Sequence, residues 1–360
     1  MPLLLDVEWE ECFLEPVPDP EFERWARSET GYSNTALRYI VPCPWLARAT
    51  VTLTSLTLAH LDHDQADLVA LVVSRDNSCR LCYAGARNLL RLTGMRPKQI
   101  DRLEEGLLSA EQQTGTQCAM DFVRRVSRSN PPPSKADQKA LIDAGYTGDQ
   151  IKELAYMAAI YVAINRITTF TTLPPQRGER MADGWRMNVA RFFLQGVLTQ
   201  RRRPAQAEFL TDELKQVPFA ANLRGLDGLP GARKLLEILN QAWESPLLTR
   251  RAKALAFAVV ARGLESRACE QEAFRLLAEQ GLDAGQVEDI LAHLGSPELD
   301  ATETTIVRFA RETTWYQPAP IQRQARQVHE QLGAAAFLEL VGITSFANAI
   351  TRLAFVLDPT

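Results

Sequence analysis

The sequence predicts an all-α protein built from two similar helical halves. Apolar residues recur at helical spacing along most of the chain, and no convincing period-two alternation, the pattern of a half-buried strand, occurs anywhere. The 360 residues are 46% apolar and carry a net charge of −4, so the chain can bury a sizeable core. Self-similarity at a fixed spacing then divides the chain in two.

The repeat has a spacing of 187 residues and joins apolar and turn positions of the same type. It includes the pairs Val73 and Val260, Cys82 and Cys269, Ala86 and Ala273, Leu90 and Leu277, Gly94 and Gly281, and Phe122 and Phe309. After a slip of one residue, Arg166 corresponds to Arg352 in the last long helix of each half. We therefore expect residues 1–180 and 181–360 to be two copies of one helical module, joined through the polar segment around 173–184.

The first half supplies the elements in order. Residues 1–45, rich in acidic residues, proline and tryptophan, are expected to form an irregular arm that packs on the core. The helices that follow are expected at 46–61, 64–75, from Cys79 to Gly94, in a short stretch after Pro97, and at 116–128, 134–145 and 148–173. The sequence NPPPS ends the helix at 116–128 and separates it from the next one.

The chemistry that the sequence can offer is concentrated in residues 67–90, around Cys79 and Cys82. If Cys79 begins a helix, both sulfurs face one side and lie close enough for a disulfide. The free N–H groups and the dipole of a helix start favour a thiolate, although by only about 0.3–1 kcal/mol. The alternative is a pair of cysteines buried on a core helix.

Three arginines flank the pair, Arg75, Arg80 and Arg87. They either face the sulfurs and lower a thiol pKa further, or are simply solvated. Zinc is not favoured, because no second CxxC or HxxxH pair completes a tetrahedral set. The other cysteines are expected to be lone thiols, and Cys269 to be a small packing residue, because Ser266 replaces the first cysteine of the pair in the second half.

Other classes of protein find little support in the sequence. Arg201–Arg203 is the one dense basic cluster, which is too short to indicate a nucleic-acid surface. The apolar run Leu154–Ile164 indicates a buried core helix rather than a membrane span. No targeting segment is apparent, so we expect a cytoplasmic protein with no metal and no cofactor.

Residues 67–90 resemble the signature of the alkyl hydroperoxidase D and carboxymuconolactone decarboxylase superfamily. That signature is an acidic residue, eleven positions, a CxxC pair, and a histidine four residues beyond the second cysteine, within an all-α module. Asp67 stands at the acidic position, shortened from glutamate. The chain departs from the pattern at Ala86, where the relay histidine belongs, and at Leu81, where the peroxidase members carry another histidine.

The resemblance implies two tandem modules of this family and a thiol peroxidase or disulfide reductase chemistry. Cys82 would attack a peroxide, Cys79 would resolve the sulfenate as a disulfide, and Asp67 would belong to the proton relay. The implied partners are a peroxide or disulfide substrate, a thiol reductant and further copies of the chain in a homo-oligomer. Two alternatives stay open: a diverged, non-catalytic binding or assembly protein, and a lyase of the carboxymuconolactone decarboxylase type that uses Asp67.

Arg166 and Arg352 lie deep in apolar helices, where a charge needs a partner. We expect an ion pair with Asp67 or Glu339. The alternative is an anionic substrate carboxylate.

Overall fold

A computed structural model describes residues 4–31, 34–54, 58–106, 115–174, 179 and 205–357. Within these ranges the regular elements are α-helices and a few short 3-10 turns, and no strand occurs. The predicted all-α class is confirmed. The predicted boundary between residues 180 and 181 and the basic cluster Arg201–Arg203 lie outside the described residues.

The helices of the first half are α1 (Pro20–Thr30), α2 (Pro44–Thr54), α3 (His63–Asp76), α4 (Arg80–Leu92), α5 (Pro97–Gly106), α6 (Gly115–Arg128), α7 (Lys135–Asp143) and α8 (Gly148–Phe170). Those of the second half are α9 (Pro230–Glu244), α10 (Arg250–Gly263), α11 (Arg267–Glu279), α12 (Ala284–His293), α13 (Ala301–Glu312), α14 (Pro318–Leu332) and α15 (Ala334–Leu357).

The helix bounds of the two halves follow the sequence repeat. Helices α10, α11 and α12 begin and end 187 positions after α3, α4 and α5. The turns match as well, because Ser78 before α4 and Glu265 before α11 both have a positive φ, 51° and 61°. These matches are those expected of a repeated module. That the halves superpose as two copies stays a prediction.

The core forms around the two long helices. Helix α3 packs against α4, α6 and α8, and α10 packs in the same way against α11, α13 and α15. Helices α8 and α15 then pack on each other and join the halves. Both are apolar nearly all round, which is the pattern of a helix surrounded by protein.

Helix α15 is long and apolar enough to cross a membrane by length and composition alone. However, 89% of its most apolar 18-residue window is buried inside the protein. The longest apolar helix is thus α15 rather than the one containing Leu154–Ile164, and it is packed as a core helix.

The N-terminal arm is more regular than expected. Residues 20–30 form α1 instead of irregular chain. The Asp19 side chain accepts the N–H groups of the first turn, Pro20 is preorganised for that turn, and Gly31 ends the helix at φ 72°. The local capping signals therefore outweigh the acidic and proline-rich composition.

Each of the long helices α8 and α15 carries a buried glutamate that binds a loop of its own half, before α3 in the first half and before α10 in the second. Glu153 of α8 accepts the backbone N–H groups of residues 59–61 at 2.6–2.8 Å. Glu339 of α15 accepts the N–H of Leu248 at 3.1 Å and pairs with the fully buried Lys253 at 2.8 Å. Because Glu153 takes these N–H groups, residues 58–61 are not helical, and the predicted helix 46–61 is wrong there.

Each long helix also has a buried arginine that donates to backbone carbonyls of the other half. Arg166 of α8 donates from Nε to the carbonyl of Thr313 at 3.0 Å and from Nη2 to that of Thr314 at 2.9 Å, just beyond α13 in the other half. Arg352 of α15 donates from Nε to the carbonyl of Ser127 at 3.0 Å, at the end of α6. Its Nη2 shares the Thr314 carbonyl at 2.9 Å.

The expected ion pair of these arginines with Asp67 or Glu339 is wrong. Within the described chain, no carboxylate lies within ion-pairing distance of either guanidinium, and Glu339 pairs with Lys253 instead. The unpaired carbonyls at a helix C-terminus carry partial negative charge, which suits a guanidinium. Burial lowers the pKa of Arg166 to about 10, so the side chain stays protonated at neutral pH.

Replacing Arg352 by methionine tests how much these buried arginine hydrogen bonds stabilise the fold. The variant leaves the Ser127 carbonyl and the Asn348 side-chain oxygen, which Arg352 binds at 2.6 Å, without their donor. A buried acceptor left without a donor costs about 1–3 kcal/mol. We therefore expect the free energy of unfolding, measured by urea denaturation, to fall by about 2–4 kcal/mol. The exposed Arg233→Met, which breaks only an i,i+4 pair with Glu237, is the control and should change little. Equal effects of the two substitutions would contradict the assignment.

Candidate functional site

The site is built on the turn from α3 into α4. Ser78 adopts a positive φ, and the N–H of Cys79 donates to the carbonyl of Ser74 at 2.9 Å, which closes the end of α3. Asn77 donates from Nδ2 to the carbonyl of Val73 at 2.9 Å and to the Ser127 hydroxyl at 3.0 Å. These bonds fix Cys79 at the N-cap of α4.

The two thiols of the pair face a common neighbour. Cys79 is fully buried, whereas Cys82, one turn further along α4, is partly exposed. Both sulfurs contact the hydroxyl of Thr168 on α8, at 2.9 Å and 3.2 Å, and both are free thiols. The predicted placement of both sulfurs on one side of the helix start agrees with this geometry.

The pKa values of the two thiols are shifted in opposite directions. Burial opposes the Cys79 thiolate, but hydrogen bonds from the Cys82 thiol, the Thr168 hydroxyl and the Cys82 N–H outweigh it, so the pKa of Cys79 is lowered. Burial and the neighbouring Cys79 raise the pKa of Cys82 well above its usual value. The two thiols therefore titrate as one unit, in which the first proton lost leaves a thiolate on Cys79.

Thr168 can serve both protonation states. Its hydroxyl lies 3.0 Å from the carbonyls of Ile164 and Asn165 on its own helix. With a neutral dithiol it donates to this backbone and accepts an S–H. With a thiolate it rotates and donates to the sulfur, because a hydroxyl has one proton and two lone pairs.

The second half of the chain forms the inner wall of the site. Tyr316, in the turn between α13 and α14, packs edge-on against Phe170 at 5.1 Å between ring centroids. The Arg166 guanidinium lies 5.2 Å from the same ring. Gln322 of α14 donates to the carbonyl of Thr169 at 3.1 Å. The site is thus composed of both halves, which the sequence did not indicate.

The other predicted site residue, Asp67, is buried on α3, nine residues or about two and a half turns before the end of that helix. The hydrogen bonds of the two sulfurs go to Thr168 and to each other rather than to Asp67. Ala86 is buried on α4, one turn beyond Cys82, with only a methyl group at the relay position. The role of Asp67 stays a prediction.

The flanking arginines have acidic or backbone partners rather than the sulfurs. Arg80 pairs with Glu179 at 2.9 Å. Arg87 is buried and pairs with Glu104 at 2.9 Å, and Arg75 donates to the Glu104 carbonyl at 3.2 Å. Neither expectation describes Arg87, which is not solvated and does not act on the thiols. It anchors α5 to α4.

The hydroxyl groups of the site were missed in the sequence. Thr168 and Thr169 belong to the run ITTFTT, in which hydroxyls interrupt an otherwise apolar helix, and this interruption is a usable signal. Tyr316 lies far along the chain and only the fold brings it to the cysteines.

The second half has no equivalent dithiol. Ser266 occupies the N-cap of α11 with ψ 96°, close to the 97° of Cys79. Cys269 is fully buried, as expected, and burial raises its pKa to about 11. Both properties fit the predicted packing role of Cys269.

Among the described residues, clefts of about 380 and 520 Å³ lie in the second half, and a smaller one of about 110 Å³ is lined by residues of both halves. None of these three is lined by Cys79 or Cys82. In the same residues, no group of three or more His, Cys, Asp and Glu side chains converges as a metal site would.

Comparison of the chain with family models, curated proteins and solved structures gives no match. The resemblance of residues 67–90 to the alkyl hydroperoxidase D signature therefore stays a prediction from the sequence.

Replacing Thr168 by valine tests the thiolate site. Without this donor the thiolate loses a charge-assisted hydrogen bond, which we expect to raise the first thiol pKa by about one unit. The rate of iodoacetamide modification of Cys82 should fall about tenfold at pH 7 and stay unchanged above both thiol pKa values. Thr344→Val is the control, because the Thr344 hydroxyl bonds only to its own helix α15. An unchanged profile would remove Thr168 from the site.

Proposed function

We propose that this protein is a redox-active dithiol protein that reduces peroxides or exchanges disulfides through Cys82 and Cys79. The observation that carries the proposal is a pair of free thiols at a helix N-terminus that share one hydroxyl partner, with the residue Cys79 fully buried and the residue Cys82 partly exposed. Thiol–disulfide chemistry needs an accessible thiol with a second thiol in reach. The likeness of residues 67–90 to the alkyl hydroperoxidase D signature supports the same chemistry.

The two sulfurs have different parts in the reaction. We assign the attack to Cys82 because this residue is partly exposed whereas Cys79 is fully buried, and the proton of Cys82 passes to the neighbouring Cys79 thiolate. An S–O bond forms at Cys82 as the O–O bond of the peroxide breaks, and the leaving alkoxide or hydroxide takes up a proton from solvent.

Cys79 then resolves the intermediate. Its sulfur attacks the Cys82 sulfenic acid, an S–S bond forms, the S–O bond breaks, and water leaves. Two electrons have passed from the dithiol to the peroxide. An external dithiol restores both thiols by two exchange steps. A disulfide substrate would be attacked by Cys82 in the same way and released as thiols.

Because Ala86 stands at the relay position, we expect peroxide reduction to be slow. A positioned general acid or base contributes about 10²–10⁴ in rate, and the methyl group of Ala86 supplies none. Slow peroxide turnover beside ordinary disulfide exchange would fit this site. The same absence favours the second candidate, a binding protein that has kept the fold without catalysis.

Oxidation of the purified protein distinguishes these candidates. Mild peroxide should convert Cys79 and Cys82 to one disulfide, detected by mass spectrometry, and dihydrolipoamide should reverse it. Cys82→Ser should abolish turnover, whereas Cys79→Ser should trap a sulfenate or mixed disulfide on Cys82. Cys118→Ser, which removes a thiol outside the pair, is the control. No disulfide under any oxidant would favour the non-catalytic protein.

We propose in addition that the chain self-associates, as the family resemblance implies. The packing of α8 on α15 already joins two similar helical halves within one chain, so any further interface must use outer faces. Sedimentation velocity at micromolar concentration should show a species larger than 40.2 kDa. A strict monomer would contradict this proposal.

A further inference from the structure

We infer that Tyr316 is a positioning residue for the dithiol: its hydroxyl, acting through Thr169, completes a hydrogen-bond chain to the Cys79 thiolate. The second half of the protein thereby supplies part of the reactive site of the first half. This inference deepens the proposed function and rests on it for its biological meaning.

The first observation is a pair of orphaned hydroxyls beside the sulfurs. The Tyr316 and Thr169 hydroxyl oxygens are buried, and neither makes a hydrogen bond of ordinary geometry within the described chain. An unsatisfied buried hydroxyl is costly and calls for a partner that forms in some state of the protein.

The second observation is the order of the neighbours. Thr169 follows Thr168, whose hydroxyl contacts both sulfurs, and lies in α8 between Arg166 and Phe170, which both contact the Tyr316 ring. With a neutral Cys79 both hydroxyls stay without a partner among the described residues. When Cys79 ionises, Thr169 can donate to the sulfur and Tyr316 to Thr169, so both orphaned hydroxyls are satisfied only in the thiolate state.

The third observation is the fixed position of the phenol. Phe170 contacts the ring edge-on, and the Arg166 guanidinium lies over it while itself bound to the carbonyls of Thr313 and Thr314. Those carbonyls immediately precede Trp315 and Tyr316 in the chain. The hydrogen bonds from Arg166 to the second half therefore also position the Tyr316 hydroxyl.

The charged groups around this chain have defined partners. From α8 the facing cation is Arg166, which is held by backbone carbonyls and the Asn77 side chain. From α4, Arg80 is paired with Glu179, and at the end of α3, Asp76 is paired with Arg128 at 2.7 Å. The titrating groups in contact are the two thiols and Tyr316, and burial raises the pKa of Tyr316, which keeps it a donor at neutral pH.

The test is Tyr316→Phe, which keeps the ring and removes only the hydroxyl. A thiolate that loses a supporting donor becomes less stable, so the first thiol pKa should rise by about 0.5–1 unit, measured by thiolate absorbance. Modification by iodoacetamide at pH 7 should slow about three- to tenfold and be unchanged above both thiol pKa values. Tyr156→Phe, a buried tyrosine near the other end of α8, is the control and should leave the profile unchanged.

Thr169 variants keep the inference testable if the ring position shifts. Thr169→Ser should retain the thiol pKa, and Thr169→Val should raise it as Tyr316→Phe does. In Thr169→Val, the further change Tyr316→Phe should have no added effect, because Tyr316 acts through Thr169. An unchanged thiol pKa in Tyr316→Phe, or additive effects of the two substitutions, would overturn the inference. Failure of the wild-type protein to form the disulfide would instead contradict the proposed function.

Discussion

Two buried guanidinium groups determine how the halves of this protein fit together. Arg166 and Arg352 each leave their own long helix and bind the carbonyl end of a helix in the opposite half, and they share the carbonyl of Thr314. Like charges buried so close repel, and burial together with Arg166 lowers the pKa of Arg352. The arrangement is tolerable because oriented helix-end carbonyls replace water as the solvent of both cations. Any slip of α8 along α15 would leave these cations unsolvated.

The surroundings of the cysteine pair depend on this junction. The turn from α3 to α4 presents Cys79 and Cys82, but the groups that meet the sulfurs come from α8, and the wall behind α8 comes from the second half. A single half would expose Thr169 and lose Tyr316. This composite construction gives a physical reason for a two-half chain with one dithiol.

The sequence predicted what local patterns determine. The bounds of α3, α6 and the start of α8 follow from apolar periodicity and from caps such as Thr147, and the CxxC spacing placed both sulfurs correctly. The partners of Arg166 could not be predicted, because backbone carbonyls leave no trace in residue identity and a carboxylate is the usual solution for a buried cation. Tyr316 escaped for a related reason: its contact with α8 spans nearly half the chain. The helix α1 was missed although its capping residues were visible.

The register of the repeat gives Tyr316 a counterpart. Displaced by 187 positions it falls on Ser129, a buried residue with φ 47° at the end of α6. At these positions the first half has the cysteine pair and a serine, and the second half has a lone cysteine and a tyrosine. The dithiol and the phenol therefore belong to different halves, so neither half alone carries both groups.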